Sequence, residues 1–325
     1  MNQQLETDLT RMLGVKYPII QAPMFLVSNT KMVIEACNCG ITGCIPAMNY
    51  RTITDLRNAI NYLKKNCDGP VGINLIVNKF NSKLTQQLST CLKEGVDYII
   101  TSLGNPKSTI DACKPLGVKV FCDVTNLEYA KKVESFGADA IIAVNNKAGG
   151  HLGSMDPESL IPLLVRNCSI PIISAGGVAN GFDLKKILSL GACGVSIGTP
   201  FIATHEADIS QDYKQAIVDY SSKDIVVTDR ISGSNCTIIN TPYVKTLSLR
   251  ASRIEKFFFK NKYFKKYFRA FRWLKGTKIF KQSALEVTYK TVWCAGPSLE
   301  GVKSIRSVSQ VVSDFLDPFM LNNYK

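Results

Sequence analysis

Ala140-Ile141-Ile142-Ala143-Val144 runs, a few residues on, into Ala148-Gly149-Gly150-His151-Leu152-Gly153. The first part reads as a buried strand. The second sets one of the chain's two histidines among three glycines, where that strand should end. Glycine lets a backbone approach a ligand closely and adopt φ > 0. Histidine is the side chain suited to moving a proton near neutral pH. Together they suggest a flat or phosphorylated ligand packed on backbone with a base beside it. A tight turn with a solvent-facing histidine is the alternative.

The strand in that stretch is the sixth of eight. β-rich apolar runs recur at Tyr17–Ala22, Ile41–Ala47, Val71–Ile76, Tyr98–Leu103, Val118–Val124, Ala140–Asn145, Pro171–Gly176 and Gly194–Thr199. Helical patterns lie between them, among them Thr54–Lys65, Ser82–Glu94, Leu127–Phe136 and Phe182–Leu190. Gly95, Gly117, Gly137 and Gly191 stand where helix C-caps are expected. Near-continuous apolar strands alternating with helices imply a covered parallel sheet. Eight such units imply an α/β fold of the closed (β/α)8 TIM-barrel type. A doubly wound open sheet is the alternative, weakened because no G-x-G-x-x-G follows the first strand.

Bulk composition fits one sizeable core. The chain has 325 residues, 46% of them hydrophobic. No apolar run reaches membrane-spanning length. Met1 to Arg11 does not read as a secretory signal. The eleven cysteines are scattered, and Cys37-Asn38-Cys39 has no second pair or nearby histidine to complete a metal site. The expectation is therefore reduced thiols in a cytoplasmic protein, with no metal.

In a barrel of this kind the chemistry sits at the C-terminal strand ends. The unusual residues fall there. Ala22-Pro23-Met24 follows the first strand, and Asn74 lies near the end of the third. Ser102, Gly104 and Asn105 follow the fourth. Ser174-Ala175-Gly176-Gly177 ends the seventh, and Gly198-Thr199 ends the eighth. A phosphate site formed by the last two loops recurs in this fold. Backbone N–H groups at Gly176, Gly177, Gly198 and Thr199 would converge there, aided by a helix N-terminus. A β-carbon at these positions would hold the backbone off the phosphate oxygens. Two ordinary βα turns are the alternative.

At these residues the chain resembles the nitronate monooxygenase family, formerly 2-nitropropane dioxygenases. That family shares its FMN barrel with flavin-dependent type II enoyl-acyl-carrier-protein reductases. The matching pieces are Gln21-Ala22-Pro23-Met24, Gly72-Ile73-Asn74, Gly104-Asn105-Pro106, Ala148-Gly149-Gly150-His151, Ala175-Gly176-Gly177-Val178 and Gly198-Thr199-Pro200-Phe201. Trp293-Cys294-Ala295-Gly296 looks like the family's W-S-A-G. The resemblance implies FMN in the barrel mouth. Ala22 and Met24 would line its ring, Asn74 would hydrogen-bond the ring system, and Gly149 and Gly150 would flank ring and ribityl chain. Gly176, Gly177, Gly198 and Thr199 would hold the phosphate, and His151 would be the catalytic base.

The implied reaction takes a nitronate or nitroalkane and O2 to a carbonyl compound and nitrite. A neutral nitroalkane would first lose its α-proton to His151. NAD(P)H-dependent reduction of an enoyl thioester or a quinone is the second reading, and a non-catalytic membrane-associated protein the third. One position departs from the family. An acidic residue commonly precedes A-G-G-H, where this chain has Lys147. A cation there would favour neutral His151 and attract anions. The other reading turns Lys147 to solvent. His205, beyond the eighth strand, reads as a capping or packing residue.

The net charge of +13 is local. Residues 245–290 carry 14 Lys/Arg against 2 Asp/Glu, which leaves the remainder near neutrality. The barrel is expected over 1–206 and 285–325. Residues 207–284 are expected to form an inserted, mainly helical, basic lid. Within it Phe264, Tyr267, Phe268, Phe271 and Leu274 share one helical face, and Lys262, Lys265, Lys266, Arg269 and Arg272 the other. A solvated basic face is the simple reading. Weak contact with an anionic membrane or an acidic protein through 245–290 stays open, as does a homodimer. Nucleic acid is not expected, since no recognised module accompanies the charge.

Overall fold

A computed structural model describes residues 5–229, 234–250, 281–282, 284–285 and 291–320. Eight parallel strands close into a barrel: β1 (Ile19–Gln21), β2 (Thr42–Pro46), β3 (Val71–Ile76), β4 (Tyr98–Ser102), β5 (Lys119–Val124), β6 (Ala140–Val144), β8 (Ile172–Ala175) and β9 (Gly194–Ile197). β1 pairs with both β2 and β9, with Ile20 opposite Thr42 on one side and Ser196 on the other. All eight expected apolar runs are barrel strands, each trimmed by a few residues at most. The eighth unit belongs to a closed sheet, so the doubly wound alternative is excluded.

Helices cover the outside. Ile53–Asn66, Leu84–Lys93, Leu127–Ser135 and Gly181–Ser189 match the expected helical patterns. Several open on a side-chain cap, as with Thr52, which accepts from Asp55 N while the Asp55 carboxylate accepts from Thr52 N. Such reciprocal caps satisfy N–H groups that the first helical turn leaves without partners. Each of the four expected C-cap glycines, Gly95, Gly117, Gly137 and Gly191, has a positive φ. The outer core lies between these helices and the sheet, built from residues such as Leu56, Ile60, Leu63, Ile73 and Ile99.

The barrel interior is a separate core of Leu9, Ile20, Cys44, Tyr98, Ile100, Phe121, Ile142 and Ile173. Tyr98 and Phe121, on neighbouring strands, stack inside it with ring centroids 5.3 Å apart. The Tyr98 hydroxyl donates to Gly43 O at 3.0 Å, so the buried phenol keeps its hydrogen bond. Gly72 makes room for that ring, because a β-carbon there would stand 2.2 Å from it. A large side chain on β4 is thus accommodated by an absent one on β3, and the barrel is filled below its mouth.

Beyond β9 the chain departs from strand–helix alternation, as the sequence predicts. Helix Gln211–Asp219 covers most of the expected Lys214–Tyr220. Two strands then appear that the sequence reading did not contain, β10 (Ile225–Thr228) and β11 (Cys236–Ile239). They join β7 (Gly150–His151) in an antiparallel sheet of order β10-β11-β7. Helix Val308–Met320 extends the expected closing helix Ser307–Leu316. The aromatic and basic stripes of 262–274 lie outside the described residues. No described helix is long and apolar enough to cross a membrane.

Candidate active site

A cavity of 710 Å³ opens at the C-terminal ends of the barrel strands. That volume lies within the range typical of small-molecule sites. Ala22, Met24, Asn74, Gly149, Gly150, His151, Gly176, Gly177, Gly198 and Thr199 all line it. The structure therefore brings every sequence-expected site residue to one wall or another of one cavity. His205 is exposed and lies away from it.

His151 sits on β7, held by the sheet beside the barrel mouth, with Cys236 as its register partner. Burial lowers its pKa below the usual histidine value, so the neutral imidazole is favoured. The loop carrying it is fastened from behind. Thr237 Oγ1, buried, donates to Ala148 O at 2.7 Å and lies 3.3 Å from Gly150 O. Asn145, fully buried at the end of β6, accepts from Lys147 N at 2.8 Å and donates to Gly176 O at 3.0 Å. One asparagine thus joins the histidine loop to the turn after β8.

Gly176 and Gly149 are demanded by neighbouring atoms, backbone among them. Gly176 has φ +110°, and a β-carbon there would meet Ala148 N at 2.5 Å and Asn145 Oδ1 at 2.6 Å. At Gly149 it would meet Thr199 Oγ1 at 2.8 Å and Gly296 N at 2.9 Å. Gly296 N donates to Thr199 Oγ1 at 2.9 Å. The loops after β6 and β8 and the Trp293–Gly296 run therefore touch backbone to backbone, and the loop after β9 joins them through the Thr199 hydroxyl. This is a steric reason for glycine separate from close approach to a phosphate. The outcome is still a cradle of small residues bordering the cavity, which fits a flat, phosphate-bearing ligand such as FMN.

Lys147 turns away from this cavity. Its stem packs under Gly177, where a β-carbon would lie 2.9 Å from Lys147 Cδ, and its ammonium is 3.6 Å from Glu158 Oε1. Glu158 also pairs with Lys186. Lys147 borders a second hollow of 370 Å³ with Asp183 and Glu300. The reversed charge before Ala148 is thus spent on the outer side of the loop.

The opposite wall holds a residue that sequence reading missed. Asn74 Nδ2 donates to Ile100 O at 3.1 Å and to Ser102 Oγ at 2.8 Å. The Ser102 hydroxyl donates in turn to Asp123 Oδ2 at 2.5 Å. Asp123 lines the cavity, and burial pushes its pKa up to about 6 despite the serine hydrogen bond. Its position was readable, as the penultimate residue of the fifth run, but a lone acid there looks like a strand boundary. Leu103, also in the wall, has φ +59°, an uncommon conformation for leucine. Tyr213 donates to Cys294 O at 2.6 Å and stacks on Trp293. Among the described residues no Lys or Arg lines the cavity, and no cluster of His, Cys, Asp and Glu could hold a metal ion.

A (β/α)8 barrel with its cavity at the C-terminal strand ends has the architecture of a barrel enzyme. The chain belongs to the nitronate monooxygenase family, whose model matches residues 79–317. It is an oxidoreductase. It is 30% identical to a "Probable nitronate monooxygenase" of Staphylococcus saprophyticus, over 75% of this chain and 81% of that one. It is also 30% identical to a (3aS,4S,5R,7aS)-5-hydroxy-7a-methyl-1-oxo-octahydro-1H-indene-4-carboxyl-CoA dehydrogenase of Rhodococcus jostii, over 75% and 68%. Among solved structures, FabK from Thermotoga maritima superposes with a TM-score of 0.85 at 28% identity, covering 98% of each chain.

Proposed function

We propose that this protein binds FMN and oxidises nitroalkanes, by way of their nitronates, with O2 to carbonyl compounds and nitrite. The observation that carries the reading is His151. It is a half-buried, neutral-leaning imidazole lining the same cavity as the glycine turns after β8 and β9. Gly176, Gly177, Gly198 and Thr199 would hold the phosphate, Asn74 the ring edge, and Ala22, Met24, Gly149 and Gly150 the ring faces and ribityl chain. Bound there, FMN supplies the electron acceptor that the side chains lack.

The protein's own part is proton handling and placement. His151 takes the α-proton of a neutral nitroalkane at a ring nitrogen, and the imidazolium then balances the nitronate charge. The Thr237 hydroxyl donates to Ala148 O and lies beside Gly150 O, which helps set where the imidazole stands. The apolar surfaces of Met24, Val27, Ile76 and Ile202 exclude water from the reacting carbon.

A second reading, reduction of an acyl thioester or quinone by NAD(P)H, is favoured by the likeness to the R. jostii carboxyl-CoA dehydrogenase. Anaerobic mixing of the flavin-loaded protein with NADH, NADPH or a nitronate separates the two. Bleaching by nitronate alone is expected. Bleaching by NAD(P)H and not by nitronate would reverse the order.

A further inference from the structure

Cys236 and Cys294 bring their sulfurs within 3.8 Å of each other, and both residues line the cavity. They come from segments 58 positions apart in the chain. Cys236 opens β11, between Thr228 of β10 and His151 of β7. Cys294 stands opposite Ile238 in an antiparallel bridge, which makes it a diagonal neighbour of Cys236. The backbone around the pair is fastened. Ile239 N donates to Trp293 O at 2.9 Å, and the Tyr213 hydroxyl donates to Cys294 O at 2.6 Å. Two held segments thus keep two thiols in contact.

Packing alone accounts for many buried thiols, and these two do pack with Ile238, Val244 and Val292. The cavity sets them apart. Cys44, Cys91, Cys113, Cys122 and Cys193 are buried and do not line it. Cys37 and Cys67 also interact with each other, at the ends of two outer helices, and do not line it either. A disulfide is about 2.05 Å long, so the Cys236 and Cys294 sulfurs need close by only about 2 Å, within reach of side-chain rotation. Contact with Cys236, and then burial, raises the Cys294 pKa well above the usual thiol value. Cys294 therefore keeps its proton when the pair gives one up, and Cys236 is the sulfur that attacks.

We propose that Cys236 and Cys294 form a peroxide-reducing dithiol site in the cavity wall, which closes to a disulfide. The Cys236 sulfur attacks one oxygen of hydrogen peroxide. The O–O bond breaks, the other oxygen leaves as water with the thiol proton, and Cys236 becomes a sulfenic acid. The Cys294 sulfur then attacks Cys236, its proton goes to the departing oxygen, and a second water leaves as the S–S bond forms. Two thiols are oxidised and one peroxide is reduced. A small-molecule dithiol reopens the pair by exchange. Peroxide arises where a reduced flavin returns its electrons to O2, and that source alone rests on the flavin reading above. The disulfide ties the strand that holds His151 to the Trp293–Gly296 run, and it encloses the basic stretch 245–290 in a covalent loop.

The test treats the purified, thiol-reduced protein anaerobically with one equivalent of hydrogen peroxide and counts thiols after denaturation. Two of the eleven should be lost, and dithiothreitol should restore both. Peptide mapping without reductant should join Cys236 to Cys294. Cys294→Ser installs the serine of the resembled W-S-A-G and removes the sulfur on which Cys236 closes. Its whole-protein mass should gain one oxygen, placed on Cys236, where the wild type loses two hydrogens. An unchanged thiol count overturns the proposal. So does a linkage of Cys37 to Cys67 in place of the cavity pair, a loss that dithiothreitol does not restore, or the loss of two thiols in Cys294→Ser. Peroxide is added directly, so failure of nitronate turnover would count against the proposed reaction and leave the thiol count to decide this site.

Discussion

Cys236 lies directly opposite His151 in the antiparallel pairing of β11 with β7. The catalytic candidate is therefore held by a strand some 85 residues further along the chain, beyond the last barrel strand. A histidine that reads as part of a loop is in fact the end of a short, paired strand, and its position depends on the segment after β9.

His151→Asn should retain FMN and the fold while losing activity on neutral nitroalkanes far more than on nitronates. Steady-state rates on 2-nitropropane and on its pre-formed anion make the comparison. General-base contributions of about 10²–10⁴-fold set the expected gap. Equal losses on both substrates would remove the base role.

Thr237→Val keeps the shape of a buried side chain and deletes the hydroxyl that Ala148 O and Gly150 O share. The Ala148 carbonyl is left short of its donor, at a cost of about 1–3 kcal/mol. Thermal unfolding should show the loss of stability. Flavin affinity should fall with it, because that carbonyl adjoins Gly149. A variant as stable as the parent would mean the loop is held elsewhere.

Gly176→Ala and Gly95→Ala separate conformational strain from collision. Both glycines have positive φ, but a β-carbon at Gly95 meets nothing within 4 Å, whereas at Gly176 it strikes Ala148 and Asn145. Gly95→Ala should cost about 1 kcal/mol. Gly176→Ala should cost several times more, or displace the histidine loop and abolish FMN retention. Denaturant unfolding with flavin absorbance distinguishes these outcomes.

Asp123 should make the protein less stable as pH rises. Its folded pKa, about 6, is above the ordinary 3.8, so the native state binds more protons in that window. The stability tied to its neutral form is present below pH 3.8 and is lost as pH rises through 6. Above that the charged group costs up to about 3 kcal/mol. Asp123→Asn should accordingly unfold at a higher temperature than wild type at pH 8, with the difference closing near pH 4. A lower melting temperature for the variant at pH 8 would contradict this assignment.

The barrel was legible because parallel strands buried on both faces are written as apolar runs, and Ile141-Ile142-Ala143-Val144 can hardly be anything else. The site was legible where glycine or histidine interrupts such runs. Ser102 and Asp123 were less so, because their meaning lies in a hydrogen bond between neighbouring strands, a relation between residues 21 positions apart. β10 and β11 are four residues each, too short for an alternation to stand out. Their partner is a two-residue strand made of Gly150 and His151, which no pattern rule reads as a strand. Lys147 left two readings open in the sequence, toward the site or toward solvent, and only the position of Glu158 shows where its charge goes.

The stacked Tyr98 and Phe121 rings, seated over Gly72, have a kinetic corollary. They plug the tube, so reactants have no through-passage and must come and go by the same doorway. An organic molecule and the second reactant that follows it would then take turns. Initial-rate plots should show parallel lines, the signature of a ping-pong sequence, and each reactant at high concentration should compete with the other for the entrance.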